Sequence, residues 1–182
     1  MKCVEPIRDK TQLEELKTAL LHCSYRDYMI FNVGINSGLR ISDLLQLKVS
    51  DVLDKTHFLI VEKKTKKVKR LKIQPEMLEE LKVYIKGMKP NEYLFKSQKG
   101  ENKPLSRVQY WRILNNAAEK VGITESLGCH SMRKTFGYWQ YQKNKDVAML
   151  QNLFNHSSQS ITLRYIGINN DLMDEAIDGL KL

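Results

Sequence analysis

Cysteine is scarce in this sequence, and long apolar stretches are absent. The 182 residues include three cysteines, Cys3, Cys23 and Cys129, and no CxxC pair. An odd number of scattered cysteines is a poor basis for disulfides or a zinc site, so we expect incidental or buried thiols in a reducing compartment and no metal. No segment approaches the roughly 18 consecutive apolar residues of a membrane span, and no apolar core marks a secretion signal. These absences argue against secretion and against a membrane protein.

Positive charge exceeds negative charge along the chain. The sequence has 30 Lys and Arg against 21 Asp and Glu, a formal net charge of +9 and a pI near 9.4. Cationic side chains gain affinity for a polyphosphate by releasing its counterions, so this composition favours an anionic partner, with nucleic acid as one candidate. Cations are densest in one run of ten residues, which contains Lys63, Lys64, Lys66, Lys67, Lys69, Arg70 and Lys72.

Apolar residues recur at helical spacing along most of the chain. Thr11-Gln12-Leu13-Glu14 has the form of a capping box and predicts the start of a helix with leucines on one face. A second helix is predicted over about 24–36, ending at a left-handed Gly38, and Ser42 is predicted to cap a short helix after it. Further helices are predicted after Pro75, after Ser106, and over about 130–142, 145–154, 158–166 and 170–181.

Between Thr56 and Ile73 the pattern changes to one typical of strands. β-prone residues on both sides of the lysine-rich turn predict a two-stranded hairpin, and Tyr93-Leu94-Phe95 predicts a third strand. The chain is long enough for one hydrophobic core and short for two full domains. We therefore expect a single domain over residues 1–182, mainly α with a small antiparallel β-sheet (α+β).

Five separated segments carry side chains suited to attack on a phosphodiester by a phenol. They are Gly38-Leu39-Arg40-Ile41-Ser42-Asp43, the lysine run Lys63–Lys72, His130-Ser131-Met132-Arg133, Asn155-His156-Ser157-Ser158 and Thr162-Leu163-Arg164-Tyr165. Arginines neutralise phosphate charge, imidazoles move protons, and a phenol can act as the nucleophile. Each segment alone has an ordinary interpretation, such as a solvated lysine face, a surface His-x-x-Arg pair or a core tyrosine.

In their order and spacing, these segments together resemble the catalytic set of tyrosine recombinases of the phage-integrase type. The resemblance extends from Ile35 to the residues beyond Tyr165 and implies the tyrosine recombinase catalytic-domain fold. It implies that Tyr165 attacks the scissile phosphorus and leaves a 3′-phosphotyrosyl bond, while Arg40 and Arg133 hold the non-bridging oxygens. By the same resemblance, His130 helps to deprotonate the phenol or holds the phosphate, and His156 hydrogen-bonds a phosphate oxygen.

The resemblance also assigns the hairpin and one carboxylate. The family's lysine stands at the start of the hairpin turn, which implies that Lys64 protonates the departing 5′-oxygen, with Lys63 as the alternative. Asp43 matches an acidic position that supports the site in this family, or it is a carboxylate on a helix surface. DNA contacts are expected from the other cations, namely Lys63, Lys66, Lys67, Lys69 and Arg70. A phosphotyrosyl ester conserves the energy of the broken bond, so no ATP, metal or other cofactor is expected.

Two features depart from the family pattern. Asn155 stands where many relatives have glycine, and only 39 residues precede Arg40, whereas larger relatives carry a separate helical DNA-binding domain there. We therefore expect no separate N-terminal core-binding domain in this chain, which is either a minimal recombinase or the catalytic part of a longer one.

The resemblance implies double-stranded DNA as the substrate and a homo-oligomer, a tetramer on DNA, joined through the C-terminal tail at about 170–181. The alternative for the tail is packing on its own core. An accessory DNA-binding protein is a further expected partner, and the expected setting is the cytoplasm, in a bacterial or phage system. Two other functions remain open at this point, a type IB topoisomerase-like relaxation of DNA and a catalytically idle DNA-binding regulator.

Overall fold

The protein folds mainly as α-helices beside one small hairpin. The computed structural model describes residues 4–61, 68–124, 127–128, 130–168 and 177–178. The helices are α1 (Lys10–Cys23), α2 (Tyr25–Ser37), α3 (Ile41–Leu44), α4 (Pro75–Tyr84), α5 (Arg107–Lys120), α6 (Ser131–Asn144), α7 (Val147–Phe154) and α8 (Gln159–Ile166), with a 3₁₀ turn at Val49–Asp51. The strands β1 (His57–Val61) and β2 (Val68–Lys72) pair in antiparallel fashion. The predicted mainly helical fold with a small antiparallel sheet is confirmed.

Two apolar clusters organise these elements. The larger one packs α1, α2 and the residues around the hairpin, and its fully buried members include Leu16, Leu20 and Phe31. The smaller one lies between α6, α7 and α8, and it consists of Phe136, Leu150, Phe154, Ile166 and Ile168. The small cluster matters for function because it holds together the three helices that follow one another at the end of the described chain.

Three local predictions are wrong. α1 begins at Lys10, before the predicted capping box, because the carboxylate of Asp9 accepts a hydrogen bond from the backbone N–H of Thr11 at 2.7 Å and caps the helix earlier. Ser42 lies inside α3, whose N-cap is Arg40. Tyr93-Leu94-Phe95 does not extend the sheet of the described residues, because Tyr93 forms an isolated bridge with Lys48 instead.

No helix in the ranges just given combines the length and the apolar character that crossing a membrane requires.

Gly38 ends α2 as the sequence predicted, in the left-handed region with φ of +62°. The ring of Phe136 on α6 lies directly against it, so that a Cβ added to Gly38 would be 2.4 Å from a ring carbon. Glycine is therefore required at position 38 for two reasons, the positive backbone angle and the close approach of α6.

Gly38→Ala is expected to lower the free energy of unfolding by about 2 to 4 kcal/mol, because strain at positive φ and an overlap in the core act together. Gly87→Ala is the matched control, since Gly87 also has a positive φ, of +83°, but has open space where the Cβ would lie. Thermal and urea unfolding of both variants measures the difference. Equal losses for the two variants would contradict the role given to the contact with Phe136.

Candidate active site

Arg133 is a buried cation in the third of the five segments described above. It lies on the first turn of α6 and is only 3% exposed. Its Nη1 donates to the carbonyl oxygen of Gly38 at 2.5 Å, and its Nη2 donates to the carbonyl oxygen of Phe154 at 3.2 Å. The guanidinium also lies 4.4 Å from the centre of the Phe154 ring. A buried guanidinium needs such partners to offset lost hydration, so the ends of α2 and α7 together fix its position.

The turn between α7 and α8 places His156. Asn155 ends α7 in the left-handed region, with φ of +56°. Asparagine is among the residues that tolerate this conformation best after glycine, so Asn155 suits this turn. The backbone N–H of His156 then donates to the carbonyl oxygen of Gln151 at 3.0 Å, and the imidazole faces α8.

Tyr165 lies on α8 with its phenol beside both histidines. Its hydroxyl oxygen is 3.2 Å from Nδ1 of His130, which precedes α6. Its ring makes edge contacts with the rings of His156, at 5.1 Å between centroids, and Phe154, at 5.5 Å. The ammonium of Lys134 lies 5.4 Å from the centre of the Tyr165 ring. The nucleophile predicted from sequence is therefore held by aromatic packing within hydrogen-bonding distance of a candidate base.

The N-terminal segment holds the far end of α8. Nη2 of Arg8 donates to the carbonyl oxygen of Gly167 at 2.9 Å, directly after the helix that carries Tyr165. The same segment is attached to α6, because the backbone N–H of Ile7 donates to Oγ1 of Thr135 at 2.9 Å and Nε1 of Trp139 donates to the carbonyl of Ile7. Residues early in the chain thus connect the two helices that carry His130 and Tyr165.

Positive charge shapes the proton affinities of this group of residues. Burial raises the pKa of the Tyr165 phenol, and the charges of Arg133 and Arg40 oppose that rise. Loss of hydration lowers the pKa of His130, and nearby cations lower it further, in the order Arg133, Lys134, Arg40 and Arg107. Both effects favour a neutral imidazole beside a neutral phenol.

The pKa of His156 is also lowered, first by burial and then by the charges of Arg133, Arg40 and Lys69. Arg40 therefore acts electrostatically on all three titratable groups of the site, His130, His156 and Tyr165. It is half-buried immediately before α3, in the turn that follows Gly38. The structure thus brings together five of the six predicted catalytic residues.

The sixth predicted catalytic residue, Lys64, lies outside the described residues, as do Lys63, Lys66, Lys67 and almost all of the predicted tail at 170–181. Three other cations of the run, Lys69, Arg70 and Lys72, lie on β2 among the described residues. Lys69 faces inward opposite Ile60, and its ammonium donates to the carbonyl oxygen of Leu153 at the end of α7. Arg70 is exposed on the opposite face of the hairpin. The hairpin therefore carries at least one of its cations to the edge of the site.

Asp43 is 5% exposed on α3, so it is not the helix-surface carboxylate that was its alternative interpretation.

Sequence reasoning missed two cations that act on His130, namely Lys134 and Arg107. Lys134 could have been found from the sequence, because it directly follows Arg133. No sequence signal indicated Arg107, because only the packing of α5 places Arg107 near His130. Among the described residues, no three His, Cys, Asp or Glu side chains lie together as a metal site requires.

The arrangement can perform one kind of chemistry well. Two guanidiniums beside a phenol create a place where a tetrahedral oxyanion is held next to an oxygen nucleophile. A neutral imidazole at 3.2 Å from the phenol oxygen is in position to remove its proton. Such a site suits nucleophilic substitution at a phosphodiester, with a covalent enzyme intermediate.

Comparisons with known proteins agree with this geometry. A model of the phage integrase family matches residues 8–171. The "Probable integrase/recombinase YoeC" of Bacillus subtilis is 51% identical over 171 residues, which cover 94% of this chain and 93% of that protein. The "Tyrosine recombinase XerA" of Pyrococcus horikoshii is 30% identical over 175 residues, which cover 94% of this chain and 61% of that relative's length.

Solved structures share the fold at lower sequence identity. The crystal structure of XerA recombinase superposes with a TM-score of 0.77 at 21% identity, covering 99% of this chain and 68% of that one. XerH site-specific recombinase, in a post-cleavage complex with its palindromic difH substrate, superposes with a TM-score of 0.76 at 21% identity, covering 98% of this chain and 54% of that one. The described fold is thus that of tyrosine recombinase catalytic domains.

Proposed function

Because this chain belongs to the phage integrase family and is a tyrosine recombinase, we propose that it cuts and rejoins double-stranded DNA through a 3′-phosphotyrosyl bond to Tyr165. The observation that carries this proposal is the phenol of Tyr165 within 3.2 Å of His130, in the field of Arg40 and Arg133. The net charge of +9 supports duplex DNA as the substrate, and so does the likeness of the fold to XerH bound to its difH substrate.

His130 is the general base in this proposal. The resemblance left two roles open for it, proton removal or phosphate binding, and its contact with the phenol oxygen favours the first. Its lowered pKa keeps the imidazole neutral near neutral pH, so that a ring nitrogen is able to accept the phenol proton. Proton transfer at the moment of attack also removes the need for a phenolate beforehand, which the raised pKa of Tyr165 disfavours.

Arg40 and Arg133 bind the two non-bridging oxygens of the scissile phosphate. Arg133 is suited to this role because its position is set before substrate arrives, by hydrogen bonds to Gly38 and Phe154. Charge that grows on the phosphate oxygens in the transition state then meets fixed donors, with little reorganisation. Asp43, buried three residues after Arg40, supports this part of the site.

The loss of cleavage on the acid side, which protonation of His130 causes, is expected to begin only below the ordinary histidine pKa of about 6.5. The base must be neutral, and the pKa of His130 is lowered, so protonation removes activity at a more acidic pH than for a solvated histidine. Single-turnover cleavage measured from about pH 5 to pH 8 checks this expectation. His130→Asn should abolish the loss of cleavage rate at acidic pH. If that loss persists in His130→Asn, another group is the base.

The proposal as a whole is tested with nicked duplexes that trap the covalent intermediate. A pool of duplexes with random sequence around the nick serves as the probe, since the short strand beyond the nick diffuses away after cleavage and cannot rejoin. A covalent protein–DNA adduct at Tyr165, with recombinant products from selected intact sites, is the expected result. Relaxation of supercoiled DNA without recombinants would favour the topoisomerase-like alternative, and binding without adduct would favour the regulator.

Lys64 protonates the departing 5′-oxygen in this proposal, and Lys69 is a described competitor because its ammonium lies at the end of α7 and its charge acts on His156. Replacing the 5′-oxygen by sulfur is expected to restore cleavage by Lys64→Ala, because a thiolate leaves without a proton. Adduct formation is compared on both substrates for Lys64→Ala and Lys69→Ala. Sulfur rescue of Lys69→Ala alone would move the general acid to Lys69.

The remaining parts of the proposal concern assembly. We propose that the chain acts as one catalytic domain on DNA in the cytoplasm of a bacterium or in a phage system. A tetramer joined through the tail at about 170–181 is the proposed assembly on DNA, and an accessory DNA-binding protein is a proposed partner. The lysine run with Lys63, Lys66, Lys67, Lys69 and Arg70 is proposed to bind the DNA backbone.

A further inference from the structure

Thr162 is a buried hydroxyl that the mechanism above does not use. It lies on α8, one turn before Tyr165, and it is 0% exposed. Its Oγ1 has two polar neighbours, the carbonyl oxygen of Ser158 at 3.1 Å and Nδ1 of His156 at 3.1 Å. The hydroxyl has a single hydrogen to donate. Its hydrogen bond to one neighbour therefore restricts the hydrogen bond that it can make with the other neighbour, and this decides which nitrogen of His156 carries a hydrogen.

The single proton of the Thr162 hydroxyl serves the carbonyl of Ser158. A threonine in a helix commonly donates to the carbonyl four residues earlier, and two oxygens 3.1 Å apart need a hydrogen between them to avoid repulsion. The hydroxyl oxygen then has only lone pairs left for His156. A hydrogen bond between them therefore requires that Nδ1 of His156 carries the hydrogen.

We propose that Thr162 is a positioning residue that fixes His156 as the Nδ1–H tautomer and so makes Nε2 the ring nitrogen that meets the scissile phosphate. This inference rests on the proposed function for its catalytic meaning, although the tautomer itself is a property of the free protein. Thr162 and Tyr165 are three residues apart on α8, so one hydrogen bond also ties the His156 ring to the helix of the nucleophile.

The fixed tautomer has a consequence for catalysis. Neutral His156 presents a lone pair at Nε2, which repels a phosphate oxygen, so it becomes a donor to the phosphate only after taking up a proton at Nε2. The charged and titratable groups that surround it come from four elements, and they are Arg40 before α3, Lys69 on β2, Arg133 on α6 and Tyr165 on α8. The cations among them oppose this protonation in the free protein, and the bound phosphate anion favours it.

The imidazole nitrogen shifts of ¹⁵N-histidine-labelled protein test the tautomer without any DNA. The His156 signals are assigned by their loss in His156→Asn. Above the pKa of His156, the wild-type protein and Thr162→Ser, which keeps a hydroxyl, should both show Nδ1 protonated and Nε2 unprotonated. Thr162→Val, which keeps the shape but not the hydroxyl, should lose this preference. The Nε2–H tautomer in the wild-type protein, or an unchanged tautomer in Thr162→Val, overturns the proposal.

The pH dependence of the cleavage rate distinguishes a role of Thr162 in fixing the tautomer of His156 from a role in packing alone. In Thr162→Val, neutral His156 is free to adopt the Nε2–H form and to donate to phosphate, so its cleavage rate relative to Thr162→Ser should rise about threefold or more from about pH 6 to about pH 9. A ratio that does not change with pH means that Thr162 only packs, and it overturns the inference. If Thr162→Val does not fold, a thermal melt shows this, and the wild-type and Thr162→Ser spectra decide alone. Absence of any adduct with the wild-type protein refutes the proposed function and leaves the tautomer result standing.

Discussion

Replacing Tyr165 with phenylalanine is expected to abolish the covalent protein–DNA adduct while DNA binding survives. The substitution removes only the attacking oxygen, because the ring contacts with His156 and Phe154 do not need the hydroxyl. Without a nucleophile no covalent bond to phosphorus forms, so the adduct should fall below detection, whereas the basic surface that binds the backbone is unchanged. Adduct formation on nicked duplexes and electrophoretic mobility shift measure the two properties separately.

Tyr141→Phe is the matched control for this experiment. Tyr141 lies on α6 and packs against the same small apolar cluster as Tyr165, so both variants lose one hydroxyl from one region of the fold. The control should form adduct at the wild-type rate. An adduct that persists in Tyr165→Phe would show that another tyrosine is the nucleophile, and peptide mapping of the DNA-linked residue would identify it.

Arg133→Ala and Arg40→Ala are each expected to slow cleavage about 100-fold or more, since a lost charged donor to a transition-state oxyanion costs roughly 3 kcal/mol or more. The two variants should differ in stability. Arg133 is buried and donates to the carbonyls of Gly38 and Phe154, so its removal leaves two acceptors without their partner and lowers the melting temperature as well. Arg40 is only half-buried, so Arg40→Ala should lower the melting temperature less than Arg133→Ala does.

Arg164→Ala controls for the loss of positive charge as such. Arg164 is an exposed arginine on α8, next to Tyr165, and its removal changes the net charge by the same amount. Single-turnover rates at saturating DNA, combined with thermal melting, separate chemistry from binding and folding. A rate near the wild-type value for Arg40→Ala or Arg133→Ala would exclude that residue from the phosphate site.

Arg133→Lys should not restore full activity, because an ammonium cannot reproduce the two parallel donors of a guanidinium.

Local sequence patterns predicted most of the helices because their causes are local. The apolar spacing of α1, the glycine that ends α2 and the proline that opens α4 act within one or two helical turns, and each was found where it was predicted. One error arose from a competing local signal and another from a contact between distant residues. At the start of α1 the carboxylate of Asp9 caps the helix ahead of Thr11, and Tyr93 pairs with Lys48 rather than with the hairpin.

The family was also readable from the sequence, and so was the order of the candidate catalytic residues, because five short motifs in one order are specific even though each is common alone. The role of each of these residues was not readable from the sequence. The contact of His130 with the phenol of Tyr165 joins residues 35 positions apart, and the bond from Arg133 to the carbonyl of Gly38 joins residues 95 positions apart.

Only the tertiary structure decided which groups meet, since spacing along the chain carries no information about packing between helices. It placed the cations Lys134 and Arg107 around His130, and it set the hydroxyl of Thr162 against the imidazole of His156. The sequence by itself thus determined which chemical groups this protein has and in what order. The packing of α6, α7 and α8 on one another and against α3, α5 and the hairpin determined their distances and proton affinities, because burial and neighbouring charge exist only once these elements are in contact.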